Sequence, residues 1–184
     1  CSSDLDTGEA RPLFEERDPA WLNIHDSTPV FLDGGRSFLW ATEEGGEWRL
    51  ERKVLAEDGR SVVRRDLVVE GDAGFQTLAH VDETRGQVWF LGGADSTRQT
   101  LWRAPLPDRP GPGAAPERVS PSGASWVDAT FAGRGGAVAL TTQSLDALPE
   151  TSVHAVDEDG GLGPGSALPS EAESPSRVPN VEIL

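Results

Sequence analysis

The clearest indication of the fold comes from residues Ser37 to Leu50, Ser-Phe-Leu-Trp-Ala-Thr-Glu-Glu-Gly-Gly-Glu-Trp-Arg-Leu. Its first half is rich in aromatic and β-branched residues, which fit a pleated and half-buried surface, so this half is predicted to be a β-strand. Gly45 and Gly46 tolerate the positive φ angles of a two-residue hairpin turn, after which the second half returns as another strand. Both faces of the first strand are largely apolar, which indicates a strand inside a sheet covered on two sides.

The pattern of this hairpin repeats along the chain with a constant period. Matching places in three predicted strands are 49 and 50 residues apart, at Trp40, Trp89 and Ala139. A later turn in each unit is marked by aspartates that are 50 and 51 residues apart, at Asp58, Asp108 and Asp159. A four-stranded unit that recurs every ~40–50 residues is typical of a β-propeller blade.

The predicted strands form three groups of four and leave almost no room for helices. The first group is predicted at residues 29–32, 37–43, 47–55 and 61–69. The second is predicted at 76–81, 86–91, 99–106 and 115–119, and the third at 125–131, 136–142, 151–156 and 166–168. The fold class is therefore all-β, a propeller segment of about three four-stranded antiparallel blades. Because closed propellers use about 4–8 blades, this segment is expected to be part of a larger ring.

The same period divides the chain into units. Residues 1–20 are predicted to be the end of a preceding blade, with a short strand at 10–16. Residues 21–168 are predicted to hold the three blades, at 21–72, 73–123 and 124–168. Residues 169–184 are predicted to be an extended connector. Six prolines between Pro105 and Pro121 indicate a long, stiff loop between outer strands.

Composition narrows the range of partners. The net charge is −15, from 31 acidic and 16 basic residues, which argues against nucleic acid as a partner. No apolar run approaches the ~18 residues of a transmembrane helix, so no membrane span is expected. Cys1 is the only cysteine and can form no internal disulfide. It is either the acylated first residue of a mature bacterial lipoprotein or a cut site, and a periplasmic or secreted location is favoured.

Residues that could carry chemistry are sparse. There is no G-x-S-x-G motif of a serine hydrolase, and the three histidines are too far apart in sequence to suggest a zinc site. No cofactor and no metal are predicted. The acidic turns at 4–8 and 157–160 are expected to be ordinary solvated turns rather than calcium loops. Glu43 and Glu44 form an acidic pair beside the glycine turn, which either recognises a cation or faces water.

Several segments, taken in order, resemble the dipeptidyl peptidase IV family. The first are Trp21-Leu22-Asn23, Phe31-Leu32-Asp33-Gly34 and Phe38-Leu39-Trp40-Ala41-Thr42-Glu43. The resemblance continues through 69–72, 81–90 and 101–103. It ends with Arg118-Val119-Ser120-Pro121 and Asp128-Ala129-Thr130-Phe131. The turn at 44–47 departs from the family pattern, as does the strand at 48–54, where relatives carry several tyrosines.

The resemblance implies a function for the whole protein. Members of this family join an eight-bladed propeller to an α/β-hydrolase domain and are serine exopeptidases that remove dipeptides from peptide N-termini. It implies that this chain is the non-catalytic last part of the propeller, which scaffolds the enzyme and gates peptide access. The family's catalytic residues would then lie beyond Leu184, and its substrate-binding acidic pair before Cys1. The expected partners are the α/β-hydrolase domain and peptide substrate, and exposed blade edges are expected to self-associate. The alternative is a free-standing propeller binding module, lipid-anchored if Cys1 is acylated.

One loop is a candidate for the substrate chamber. In relatives, the loop that matches residues 21–26 faces the space between propeller and hydrolase. Asn23, His25 and Asp26 are therefore the candidate substrate-chamber residues, since ligand contacts concentrate on loops. The other interpretation is turn chemistry, in which these polar side chains bond to nearby backbone groups. Trp21 is predicted to be a packing anchor.

Overall fold

The computed structural model describes residues 2–3, 7–8, 10–107, 115–123, 125–144 and 147–170, and in them the fold is all-β. Two short strands come first, β1 (Ser2–Ser3) and β2 (Ala10–Arg11). The first large sheet contains β3 (Val30–Leu32), β4 (Ser37–Thr42), β5 (Arg49–Leu55) and β6 (Val62–Val69). The second contains β7 (Phe75–Asp82), β8 (Gln87–Gly92), β9 (Thr100–Pro105) and β10 (Glu117–Arg118). The third contains β11 (Trp126–Phe131), β12 (Ala137–Ser144), β13 (Ala147–Ala155) and β14 (Ser166–Ala167).

Each large sheet is an antiparallel meander whose strands pair in chain order. The period predicted from the sequence is confirmed at the level of strands, because Trp40, Trp89 and Ala139 each lie in the second strand of their sheet. Three consecutive meanders of this kind confirm the predicted propeller segment, and we refer to the sheets as blades one, two and three.

The hairpin of blade one differs from the prediction in its turn. Thr42 pairs with Arg49, so residues 43–48 form a six-residue loop and not a two-residue turn. The two glycines do have positive φ, 104° at Gly45 and 91° at Gly46, and the Gly46 amide donates to the Glu43 carbonyl at 2.8 Å. The loop is longer because pairing ends where the core ends, one residue beyond the buried Ala41–Leu50 pair.

Two other predicted strands are shorter than expected. The strand expected at 10–16 is confined to Ala10–Arg11, because the following residues attach to blade one through side chains. Phe14 packs against Phe38 and Trp40 with ring centroids 5.8 and 5.1 Å apart, and Glu16 accepts a hydrogen bond from the Trp40 indole at 2.9 Å. The strand expected at 115–119 is reduced to Glu117–Arg118, where the neighbouring β9 offers a partner.

The core lies between adjacent blades. The side chains buried between blades one and two include Leu39, Leu50, Val69, Phe75, Val88 and Phe90. Those buried between blades two and three include Trp89, Leu101, Val127, Val138 and Leu140. The second strand of blade two contributes alternate residues to both clusters, which explains why its sequence is apolar on both faces.

An arginine of the third strand ties each blade to the next. Arg52 on β5 donates to the Pro107 carbonyl at 2.6 Å, across the boundary between blades one and two. Arg103 on β9 donates to the Asp159 carbonyl, across the next boundary. In both cases an arginine of a third strand reaches the turn that follows the third strand of the next blade. These bonds supplement the apolar contacts between the sheets.

The backbone passes very close to itself at Gly74 and Gly93, at the start of blade two, and we refer to this contact as the backbone crossing. The Gly93 amide donates to the Gly74 carbonyl at 3.0 Å, and Gly74 has a positive φ of 66°. A Cβ atom at Gly74 would lie 2.1 Å from the Gly93 carbonyl oxygen. Only glycine fits at this position without a shift of the backbone.

Some expectations concern residues outside the described ranges. These include Cys1, most of the acidic turn at 4–8, the middle of the proline-rich loop at 108–114, and the connector from residue 171 onward. Within the described part of the chain, no helix is long and apolar enough to cross a membrane.

Candidate functional site

The candidate loop is the segment from Trp21 to Asp26, which leads into β3 of blade one. It has no regular secondary structure, and its course is fixed by side chains that contact two different elements. One contact is with the β4–β5 loop of blade one and the other is with β7 of blade two. The segment therefore lies against the junction of two blades.

His25 is the contact with blade two. Its ring lies 4.8 Å from Trp48 and 5.4 Å from Phe75, centroid to centroid. The Ser27 amide donates to Nδ1 at 3.2 Å, so Nδ1 is the acceptor and Nε2 carries the proton that is donated to the Gln76 carbonyl at 2.7 Å. Both ring nitrogens therefore have partners inside the protein. His25 is held in one tautomer and one orientation.

Ser27 completes the connection to blade two. Its Oγ lies 3.0 Å from Nδ1 of His25 and accepts a hydrogen bond from the Leu78 amide at 3.1 Å. Together the two side chains bond to the backbone of β7 at two points. This arrangement fits the turn-chemistry interpretation for His25, because its polar atoms serve the segment's own conformation.

Asn23 and Trp21 are the contact with the β4–β5 loop. The Asn23 amide donates to Glu43 Oε2 at 2.6 Å and its Oδ1 accepts from the Trp21 indole at 2.8 Å. The predicted role of Trp21 as a packing anchor is wrong, because its side chain is 76% exposed. Its indole nitrogen is satisfied by Asn23 at the surface and does not require burial.

Asp26 is exposed at the end of the segment. In the described ranges its carboxylate has neither a hydrogen bond nor an ion pair. Among the three candidate residues, the structure therefore brings Asn23 to the Glu43 loop, turns His25 into the blade junction and leaves Asp26 open to solvent.

A cleft of 390 Å³ opens beside the segment, and its lining includes Trp21 and Leu22 but not His25. It is lined by residues from the 15–22 region, by the β4–β5 loop and by one outer-strand arginine, and these include Asp18, Trp21, Leu22, Glu43, Glu44 and Arg65. Glu43 was noticed in the sequence as half of an acidic pair. Its bond to Asn23, 20 residues away, could not be inferred from that motif.

A second serine–histidine contact lies in blade three. Ser152 Oγ is 2.8 Å from Nε2 of His154, whose Nδ1 lies 2.9 Å from the Gly163 carbonyl. His154 is only 8% exposed, and a Cβ at Gly165 would lie 2.6 Å from its ring. The imidazole is therefore covered by backbone, and this pair fits a structural role better than a catalytic one.

The fold defines the class of the protein, which is a segment of a β-propeller. The sequence model of the family described as "Dipeptidyl peptidase IV (DPP IV) N-terminal region" matches residues 1–149, and the chain belongs to this family. The resemblance noted in the sequence is thereby confirmed.

The structure is similar to the crystal structure of Porphyromonas gingivalis dipeptidyl peptidase 4. The sequence identity is 20% and the TM-score is 0.54. The match covers 73% of this chain but only 17% of that one, so the chain spans about a sixth of the length of this relative. At this identity the similarity concerns the fold. No curated protein matches the chain by sequence.

Proposed function

We propose that this chain is the non-catalytic propeller portion of a larger serine exopeptidase of the dipeptidyl peptidase IV type. In this role it scaffolds an α/β-hydrolase domain outside the chain and gates the access of peptides to its active site. The observation that carries the proposal is the match of the family's N-terminal region to residues 1–149, a range that includes the strands of blades one and two and the first two strands of blade three. The blade limits at 21–72, 73–123 and 124–168, with 1–20 and 169–184 as flanking segments, belong to this proposal.

The activity test compares the protein that contains this chain with the chain alone. We expect the whole protein to hydrolyse proline-linked dipeptidyl chromogenic amides and the chain alone to be inactive. An inactive whole protein, with a correctly folded propeller, would favour a free-standing binding module. Turnover by the purified chain that responds to substitutions within it would contradict the proposal that catalysis takes place outside this chain.

We also propose that Asn23, His25 and Asp26 border the peptide chamber. The exposed side chains of Asn23 and Asp26 can meet a passing peptide directly. His25 acts as a positioning residue, because its two nitrogens bond to Ser27 and Gln76 and hold the segment against blade two.

Kinetic measurements on single variants test whether these residues border the peptide chamber. Asn23→Ala and Asp26→Ala are expected to lower kcat/KM several-fold in the whole enzyme without a change in melting temperature, because both side chains are exposed. His25→Ala is expected to raise KM and also to lower the melting temperature, since it removes the partly buried hydrogen bonds to Ser27 and Gln76. The matched control is Glu57→Ala, which alters an exposed acid at the opposite end of β5. Unchanged kinetics in both surface variants would show that the loop is only structural.

Self-association of the isolated chain is a further part of the proposal. Phe31 and Val63 of blade one are 57% and 63% exposed, so the segment with Phe14 and Glu16 covers this sheet only in part. Uncovered sheet faces and edges favour association with another chain. We expect dimers or larger assemblies by light scattering, and a monomer at high concentration would contradict this.

A further inference from the structure

The 390 Å³ cleft contains an unusually exposed tryptophan. Trp21 is 76% exposed, whereas Trp126, the next most exposed tryptophan, is at 38%. Leu22 beside it is 45% exposed. Exposed apolar surface of this kind, next to a concave region, commonly marks a place where a partner binds.

The indole is fixed although it is exposed. The backbone amide of Trp21 donates to Asp18 Oδ1 at 2.9 Å, and its indole nitrogen donates to Asn23 at 2.8 Å. Asn23 in turn donates to Glu43 at 2.6 Å. The indole therefore has a fixed position in a cleft that two carboxylates also line, and a ligand that stacks on the ring would cause little loss of side-chain entropy in the protein.

The two carboxylates, Asp18 and Glu43, that line the cleft with Trp21 form no ion pair within the described part of the chain. In the described residues, neither Asp18 nor Glu43 has a cation within 4.0 Å, whereas Glu44 pairs with Arg49 at 3.2 Å. Backbone amide hydrogen bonds, first from Trp21 and then from Ala20, lower the pKa of Asp18, so this group is ionised at neutral pH. The net charge of −15 for the whole chain adds to the negative potential at the cleft.

We propose that this cleft docks an extended peptide segment through an arginine side chain, whose guanidinium lies over Trp21 and between Asp18 and Glu43. An aromatic face attracts a cation, and tryptophan is the best ring for this interaction. Arginine fits better than lysine because its planar group can stack on the indole while its several N–H groups donate to more than one carboxylate. The cleft volume of 390 Å³ suits one long side chain with its flanking backbone.

This inference does not rest on the proposed peptidase function, because it requires only binding to the chain itself. The probe is the capped peptide acetyl-Gly-Arg-Gly-amide, titrated against the chain by NMR. The matched control peptide carries citrulline in place of arginine, which keeps the shape and removes the charge. We expect the Trp21 indole resonance, assigned from Trp21→Ala, to shift with the arginine peptide and to shift little with the citrulline peptide. The shift should weaken as salt is added.

Isosteric variants test whether the charges of Asp18 and Glu43 contribute to arginine binding. Asp18→Asn can still accept the backbone bonds and Glu43→Gln can still accept from Asn23, so both remove charge and keep the local structure. Each is expected to weaken arginine binding about threefold to tenfold, and Trp21→Ala by a similar factor. Glu57→Gln, an exposed acid at the other end of β5, should leave binding unchanged.

Three results would overturn the proposal. One is an equal response to the arginine and citrulline peptides. Another is a loss of affinity in Glu57→Gln as large as that in Glu43→Gln, which would show that only the general negative charge matters. The third is the absence of any shift at the Trp21 indole at millimolar peptide. If Trp21→Ala fails to fold, the two isosteric variants still decide the question.

Discussion

At the scale of single residues, the most unusual feature is a charged pair buried in blade one. The Lys53 side chain is 0% exposed, and its ammonium lies 3.0 Å from Glu51 and 4.7 Å from the ring centroid of Phe14. Sequence analysis placed both charged residues in a strand but gave no reason to bury them. They are covered because the segment with Phe14 and Glu16 folds back over the sheet, which no local pattern reveals.

Removal of one partner of this pair is expected to lower the stability of the fold. Glu51→Ala leaves the Lys53 charge buried without its closest partner, and we expect the free energy of unfolding to fall by about 3 kcal/mol. The double variant Glu51→Leu/Lys53→Met removes both charges and should recover most of this loss. Urea denaturation measures both values. A double variant less stable than Glu51→Ala would contradict the expectation.

His80 is expected to make the stability of the fold depend on pH. Its ring stacks on Phe131 of blade three at 4.7 Å, and burial lowers its pKa below the ordinary value of 6.5, an effect that Asp82 opposes and Arg85 reinforces. Because the unfolded chain then binds a proton at a higher pH than the folded one, stability is complete above pH 6.5 and declines as the pH falls below it.

The test is the difference between wild type and His80→Gln. We expect the free energy of unfolding of the wild type to fall more steeply than that of the variant as the pH is lowered from 7 through the window just below 6.5. Parallel curves in that window would show that His80 does not contribute. The difference between the two proteins cancels the effect of protonating the many carboxylates, which both share, and a constant ionic strength keeps the charge screening the same.

At the scale of elements, the strands were predictable and several connections were not. Alternation of apolar residues and the recurring turns located the strands of all three blades. The hairpin loop at 43–48 was predicted as a two-residue turn because Gly45-Gly46 is a common hairpin pair. The strand ladder instead ends at Thr42, where the buried face ends, and a local turn motif carries no information about that limit.

The backbone crossing at the start of blade two gives an element-scale prediction. Gly74→Ala places a Cβ 2.1 Å from the Gly93 carbonyl, in addition to the cost of a positive φ. We expect a loss of at least about 3 kcal/mol, or failure to fold. The matched control is Gly86→Ala, which has nearly the same φ of 64° but nothing within 4 Å, and should cost only about 1 kcal/mol. Equal melting temperatures for the two variants would refute the role of the crossing.

At the scale of the whole molecule, the repeat of 49–51 residues was sufficient to predict the propeller segment. It was not sufficient to predict how one blade binds the next. The arginine ties from Arg52 and Arg103 join residues more than 50 positions apart, and they depend on the angle between sheets. The candidate loop shows that the sequence alone does not predict contacts between blades. His25 was proposed as a site residue because it is polar and lies on a loop, whereas its hydrogen bond to Gln76 of blade two is seen only in the structure.

The main proposal is that this chain guides peptides while the chemistry takes place in another domain. The most direct measurement treats the whole protein with a serine-reactive fluorophosphonate and locates the label by mass spectrometry, alongside an assay of dipeptidyl amide hydrolysis. We predict that activity is lost in proportion to labelling and that the labelled serine lies outside residues 1–184. A labelled serine within this chain, or full activity after complete labelling, would contradict the claim.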